Sequence, residues 1–272
     1  MSQWSSHAKR WVTGLGLAVP LIALLAYGPL WLWAAAVTAA ACVGLWEYEN
    51  MAQEGTVPKE WLVFSLGTGA LFPVAAYALG SSGLLAAAAV SVFLMLFAHL
   101  ARPPLSRPAL VRGMISLGGW TYVCFLLSFV LLLGALPHGR AWVFYVLVVI
   151  VAGDTGAFYT GRRFGRRKLY EAVSPKKTIE GSMGGLAAAM FVGTLFGLAF
   201  LRESGAAVFH FLFLSAVVEL VGQVGDLMES LLKRMAGVKD SSNLLPGHGG
   251  LLDRLDSLLF AFPITWFFAE RL

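Results

Sequence analysis

Apolar residues run along most of this chain in blocks of membrane-spanning length, and polar residues gather between the blocks. A helix crosses a bilayer with about 20 apolar residues, in a range of about 17–25. Nine runs qualify: 11–27, 29–46, 61–79, 83–100, 113–136, 141–161, 181–201, 205–232 and 251–269. The first two are separated by Gly28-Pro29, a tight turn, so they predict a helical hairpin. Residues 1–27 carry Lys9 and Arg10 before an apolar stretch, the pattern of a secretory leader, but the next run follows at once and a retained span is expected. The pattern predicts an all-α protein, a polytopic integral membrane helical bundle of about nine transmembrane helices. It is expected to form a single membrane domain over residues 1–272, with N-terminal helices in 1–136 and a second set in 141–269.

Composition agrees. The 272 residues are 58% hydrophobic and only 13% charged, and the mean hydropathy is +0.74. A soluble domain carries about 25% charged residues, so the apolar excess implies a lipid-facing surface. The net charge of +5 sits in short loops and reports topology before partners; no nucleic acid is expected. With the N-terminus in the cytoplasm and nine alternating spans, seventeen of the 20 Lys and Arg residues fall inside, and only Arg140, Arg202 and Arg271 fall outside. That is a strong positive-inside bias.

Two loops on the expected cytoplasmic side stand out. Residues 161–180 hold seven basic residues, and residues 233–250 end in Pro246-Gly-His-Gly-Gly250. The stretch from Asp226 to Asp256 is densely charged in an otherwise apolar chain. Ionisable groups in apolar runs are costly unless paired, metal-bound or wet, which makes them functional candidates. Glu219, Gln223, Asp226, Ser230 and Lys233 fall within roughly 80° on one helical face, a stripe that must meet protein or water. Asp226 lies seven residues, about 10 Å, inside Lys233. Asp154 lies at a similar depth in the sixth run, and Asp253 and Asp256 are three apart at the start of the ninth. Four carboxylates from three helices are thus expected at one level. Mg²⁺ takes one or two carboxylates plus waters and phosphates, and neighbouring Lys and Arg suit a polyphosphate bound with it. This combination points to phosphoryl or nucleotidyl transfer at the membrane interface.

Blander readings stand beside these. A helix-end Asp beside Arg254 can be structural, and Glu219 can be a buried hydrogen-bonded side chain or a substrate or proton contact. His248, between glycines near Asp253, can be a loop residue or touch phosphate; His99 and His210 are expected to pack or snorkel. Cys42 and Cys124 lie in different runs and read as small core residues. Gly193 and Gly197 suit close helix packing, whereas Gly181, Gly184 and Gly185, next to the basic loop, suit packing or an approach to phosphate equally. No Gly-x-x-x-x-Gly-Lys-[Ser/Thr] occurs, so a P-loop is not indicated.

The stretch Ser230-Leu-Leu-Lys233-Arg234-x-x-x-x-Lys239-Asp240-x-x-x-x-Leu-Pro246-Gly-His248-Gly249-Gly250-x-x-Asp253-Arg254-x-Asp256 resembles the signature of phosphatidate cytidylyltransferases, also called CDP-diacylglycerol synthases. Asp154-Thr-Gly-Ala-Phe-Tyr-x-Gly161-Arg162-x-Phe-Gly165 and Ser174-Pro-Lys-Lys177-Thr178-x-Glu180-Gly181 resemble the same family. The similarity covers residues 150–260; the first half matches only as a set of apolar spans.

The resemblance implies a multi-pass enzyme of the cytoplasmic membrane, homodimeric, with its active site facing the cytoplasm and its motifs on the helices of 141–269. It would join CTP to phosphatidate drawn from membrane lipid, giving CDP-diacylglycerol and pyrophosphate with Mg²⁺. A second, monovalent cation such as K⁺ is compatible with the resemblance. It makes Asp226, Asp253 and Asp256 the metal and catalytic carboxylates, with Lys233 as a catalytic cation. The candidate substrate-binding residues are Asp154, Ser174, Lys177, Thr178, Ser230, Arg234, Lys239, Asp240, His248, Gly249, Gly250 and Arg254. Two rivals remain: a CTP-dependent polyprenol kinase, and an ion-coupled transporter, since intramembrane acids also mark ion pathways. An obvious inverted repeat is absent, and the charges gather on one side, which disfavours the transporter.

Overall fold

A computed structural model describes residues 6–101, 106–247 and 249–272. Among the described residues there are nine α-helices: α1 Ser6–Tyr27, α2 Leu30–Ala52, α3 Lys59–Leu100, α4 Arg107–Gly119, α5 Leu126–Gly134, α6 Gly139–Phe164, α7 Ile179–Phe200, α8 Val208–Met235 and α9 Leu252–Ala269. Among the described residues, six helical stretches are long and apolar enough to cross a membrane: Leu30–Ala52, Lys59–Leu100, Arg107–Gly134, Gly139–Phe164, Ile179–Phe200 and Val208–Met235. The protein is an all-α polytopic membrane protein. The chain divides into two compact units, Met1–Leu132 with Met235–Arg254, and Leu133–Arg234 with Leu255–Leu272.

In the first unit, α1 turns into α2 at Gly28-Pro29. Pro29 is extended (φ −70°, ψ 156°), and the Trp33 indole N–H donates to the Leu24 carbonyl at 2.9 Å across the turn. The 42-residue α3 is not one rod: Gly80 has φ 66° and ψ −148°. A Cβ on Gly83 would overlap the Ala75 carbonyl, a residue about 12 Å away along an unbroken helix. The helix therefore breaks between the two apolar runs 61–79 and 83–100. α4 begins at Ser106, whose hydroxyl accepts from Ala109 N at 3.3 Å, and a π-helical turn, Trp120–Phe125, joins α4 to α5. Trp120 is fully buried. Its indole N–H is 2.9 Å from Ser65 Oγ, and that hydroxyl donates to Glu49 Oε1 at 2.5 Å. A buried polar chain thus ties α2, α3 and the π turn together, as buried polar groups require.

In the second unit, glycines let α6, α7 and α8 approach closely. A Cβ on Gly193 would overlap Ser215, and one on Gly197 would overlap the Phe211 ring. Tyr145, fully buried on α6, shares a 2.7 Å hydrogen bond with Ser215. Helix α9 packs on α8 at Gly225, where a Cβ would stand 2.5 Å from the Asp256 carbonyl oxygen.

The basic stretch between α6 and α7, read from sequence as a loop, contains a two-stranded antiparallel hairpin, β1 Lys168–Tyr170 and β2 Ser174–Thr178. Its strands are too short and too charged to show alternation. Lys168 Nζ donates to the Pro175 carbonyl at 2.6 Å, and the hairpin leads straight into α7, where Thr178 Oγ1 accepts from Gly181 N at 3.1 Å.

Candidate active site

The second unit holds a cavity of about 530 Å³ whose lining includes Asp154, Arg162, Lys177, Thr178, Glu219 and Gln223. Helix α6 contributes Asp154, the hairpin Lys177 and Thr178, and α8 the two polar residues below. Lys177 forms an ion pair with Asp226, so the end of the hairpin is fastened to α8. Asp226 also accepts from Ser230 Oγ, one helical turn on, at 3.3 Å. Asp154, Asp226 and Lys233 lie within electrostatic range of Asp256. The structure thereby brings together Asp154, Lys177, Thr178, Asp226, Ser230, Lys233 and Asp256 in one unit.

Other predicted residues have more specific partners. Lys233 is ion-paired with Glu229, a carboxylate with no exposed surface. Arg234 Nε donates to the Val173 carbonyl at 3.3 Å and so braces the hairpin. Ser174 opens β2 and is half-buried.

Glu219, left open by the sequence, is 2% exposed. Its Oε1 accepts from Gln223 Nε2 at 2.8 Å; Gln223 also donates to the Ser182 carbonyl at 3.2 Å and accepts from the Ser182 hydroxyl. A Cβ on Gly153 would overlap the Glu219 carboxylate, and one on Gly185 would lie 3.1 Å from it. These two glycines make the room in which the acid sits, with Asp154 and Lys177 within electrostatic range.

The first unit holds the signature loop and a second cavity of about 660 Å³, whose lining includes Lys239, Asp240, Asn243, Gly247, Gly249 and Arg254. Gly247 and Gly249 have φ +79° and +80°, a region that side chains rarely adopt, so these positions need glycine. Leu245 N donates to Gly249 O at 2.8 Å and closes the turn. Asp253 Oδ2 accepts three hydrogen bonds, from Ser241 N and Ser241 Oγ, both at 2.9 Å, and from Gly250 N at 2.8 Å. His248 lies outside the described residues.

Among the described residues, no group of three or more His, Cys, Asp or Glu side chains is placed to hold a metal by itself. Two carboxylates of the second unit, Asp226 and Asp256, are close enough to interact and have cationic neighbours in Lys177 and Lys233. That donor set fits a Mg²⁺ ion that takes its remaining ligands from substrate phosphates and water.

The sequence reading missed Glu47 and Glu229. Glu229 stands one helical turn before Lys233 on α8, and that i,i+4 spacing is a signal for their pairing, though not for its burial. Glu47 lies one residue beyond an apolar run, and the rule that flagged Asp226 applies to it equally.

The family model described as the cytidylyltransferase family matches residues 8–272. This chain belongs to the cytidylyltransferase family. Its relatives include proteins named phosphatidate cytidylyltransferase. One from Bacillus subtilis (strain 168) is 44% identical over 130 residues, 48% of each chain. One from Haemophilus influenzae is 43% identical over 134 residues, 48% of this chain and 46% of its own. One from Staphylococcus haemolyticus is 41% identical over 126 residues, 46% of this chain and 48% of its own. The chain spans about half the length of the curated relatives it matches. A cytidylyltransferase site must gather anionic phosphates, and the basic hairpin and the Lys239–Arg254 loop put cations beside both cavities.

Proposed function

We propose that this protein is a phosphatidate cytidylyltransferase that joins CTP to phosphatidate at the cytoplasmic membrane, releasing CDP-diacylglycerol and pyrophosphate. The observation that carries the reading is the Lys177–Asp226 ion pair at the end of the basic hairpin, next to the 530 Å³ cavity. A cation that neutralises phosphate and a carboxylate suited to a metal are there side by side.

The chemistry asks little of a general base. Phosphatidate is a phosphate monoester with a second pKa near ~6, so its phosphate is already largely ionised at neutral pH. A phosphate oxygen attacks the α-phosphorus of CTP, a new P–O bond forms, and the bond to the β-phosphate oxygen breaks. Pyrophosphate leaves with that electron pair. The barrier lies in bringing anions together, and positioning with charge neutralisation lowers it. Lys177 and Lys233 offset phosphate charge, and Ser230 orients Asp226. Mg²⁺, held by Asp226 and Asp256, would neutralise charge on the bridging phosphates and the leaving pyrophosphate. Asp253, expected from the resemblance to join them, is assigned instead to the fold of its own loop, where Oδ2 meets three donors. In the first unit, Lys239 and Arg254 put cationic charge on the wall of the 660 Å³ cavity.

The proposal includes nine membrane crossings with a cytoplasmic N-terminus. Support comes from loop charge and from the break at Gly80, which divides α3 into two lengths matching two apolar runs. It also includes a homodimer, on the strength of the resemblance alone. The test is a coupled assay of purified protein in detergent. Pyrophosphate release should require CTP, phosphatidate and Mg²⁺ together, and EDTA should stop it. CDP release with a polyprenol acceptor would favour the kinase instead, and no turnover with any lipid would favour a transporter.

A further inference from the structure

The loop between α8 and α9 carries much of the signature, and its shape depends on a residue of α2 to which neither motif nor mechanism assigns a role. Glu47 has no exposed surface. Its Oε1 accepts from Ser242 Oγ at 2.6 Å and from Leu251 N at 2.9 Å. Its Oε2 accepts from Leu252 N at 2.7 Å and from Ser241 Oγ at 3.4 Å. All four partners donate, and an ionised carboxylate accepts on both oxygens. Leu251 and Leu252 lie at the start of α9, where backbone N–H groups lack intrahelical partners. Glu47 therefore caps α9 from another helix. Gly250 completes the fit: a Cβ there would overlap Ser241 Oγ and approach Glu47 Oε1 to 2.6 Å.

The anchored segment borders the 660 Å³ cavity. Lys239 and Asp240 precede Ser241, Arg254 follows Leu252 by two residues, and all three line the cavity. Asp253 closes the same segment from within through Ser241 and Gly250. Ordering a loop costs conformational entropy at every residue that is fixed. A fixed post at its middle and end means that much of this cost is met before the ligand arrives.

We propose that Glu47 is a positioning residue of the reaction: by fixing residues 241–252 it holds Lys239 and Arg254 in place to bind phosphate in the 660 Å³ cavity of their own unit. The inference rests on the cytidylyltransferase reading for its ligand, but the anchoring itself does not. Neutral partners distinguish this from an ion pair, so the carboxylate is matched to neutral N–H and O–H donors.

Glu47→Gln tests it. The substitution keeps volume but sets an NH₂ against one pair of donors. Hydrogen exchange of the purified protein should quicken about tenfold or more in peptides covering 241–252 and remain unchanged in α3. The KM for CTP should rise about tenfold, with a smaller change in kcat. Ser242→Ala removes one bond without adding a donor, so it should move both readouts the same way by less; it carries the test if the Gln variant fails to accumulate. Unchanged exchange in 241–252 overturns the anchor. Faster exchange with a wild-type KM for CTP overturns the positioning role. Exchange needs no turnover, so failure of the cytidylyltransferase reading would show separately, as wild-type protein that makes no CDP-lipid.

Discussion

Lys177 and Asp226 form an ion pair that joins the second strand of the basic hairpin to the polar stripe of α8. Both side chains are about one-quarter to one-third exposed, at 27% and 30%. The pair is therefore open enough to exchange partners when phosphate arrives. Each group satisfies the other here; on the proposed mechanism the ammonium would turn to phosphate and the carboxylate to metal when substrate binds.

Lys177→Ala should accordingly raise the KM for CTP about tenfold or more, because a charge-assisted hydrogen bond to phosphate is worth roughly 1.5–3 kcal/mol. Circular dichroism should show unchanged helix content. Steady-state kinetics with varied CTP make the check; an unchanged CTP dependence would leave the hairpin's charge to topology or anionic lipid alone.

The two aspartates assigned to the metal should separate from the one assigned to the loop. Asp226→Asn and Asp256→Asn should each lower kcat at least about 100-fold and raise the Mg²⁺ concentration needed for half-maximal rate. Asp253→Asn should lower activity without moving the Mg²⁺ midpoint, since its amide would face donors from Ser241 and Gly250. A Mg²⁺ titration of the three variants decides. A shifted midpoint in Asp253→Asn would return that residue to the metal.

Gly153 and Gly67 should respond oppositely to alanine. A Cβ on Gly153 overlaps the Glu219 carboxylate, whereas one on Gly67 meets nothing within 4 Å. Overpacking costs about 1–3 kcal/mol, so Gly153→Ala should lower the melting temperature. Gly67→Ala, inside α3, gains up to about 1 kcal/mol of helix propensity and should hold or raise it. Thermal melts in one detergent compare them directly.

Topology can be tested with cysteines. In a background of Cys42→Ala and Cys124→Ala, Ser174→Cys and Ser241→Cys should both react with an impermeant maleimide from the cytoplasmic face, and a cysteine added at the C-terminus from the other. Reaction of the two loop positions from opposite faces would break the nine-crossing account.

Much of this was legible because hydrophobic length is a strong signal. The break at Gly80 falls between two apolar runs, and the turn at Gly28-Pro29 was written in the residues. The stripe from Glu219 to Lys233 was readable because helical spacing alone puts it on one face. Pairings between segments were not readable: that Lys177 takes Asp226, or that Arg234 braces Val173, depends on how segments far apart in sequence meet. The hairpin at 168–178 was hidden by its charge. Glu47 was hidden for another reason. Its partners lie some 200 positions away, in a loop whose signature draws attention to its own residues.

On the proposed reaction, the cytidylyl group of CTP, rather than its terminal phosphate, passes to a lipid phosphate. The direct test supplies phosphatidate and Mg²⁺ with CTP labelled with ³²P either at the α- or at the γ-phosphate, then extracts the lipid. The account predicts α-label in the lipid fraction and γ-label in aqueous pyrophosphate. Label from the γ-position in the lipid, with unlabelled CDP left behind, would contradict it and make the protein a kinase.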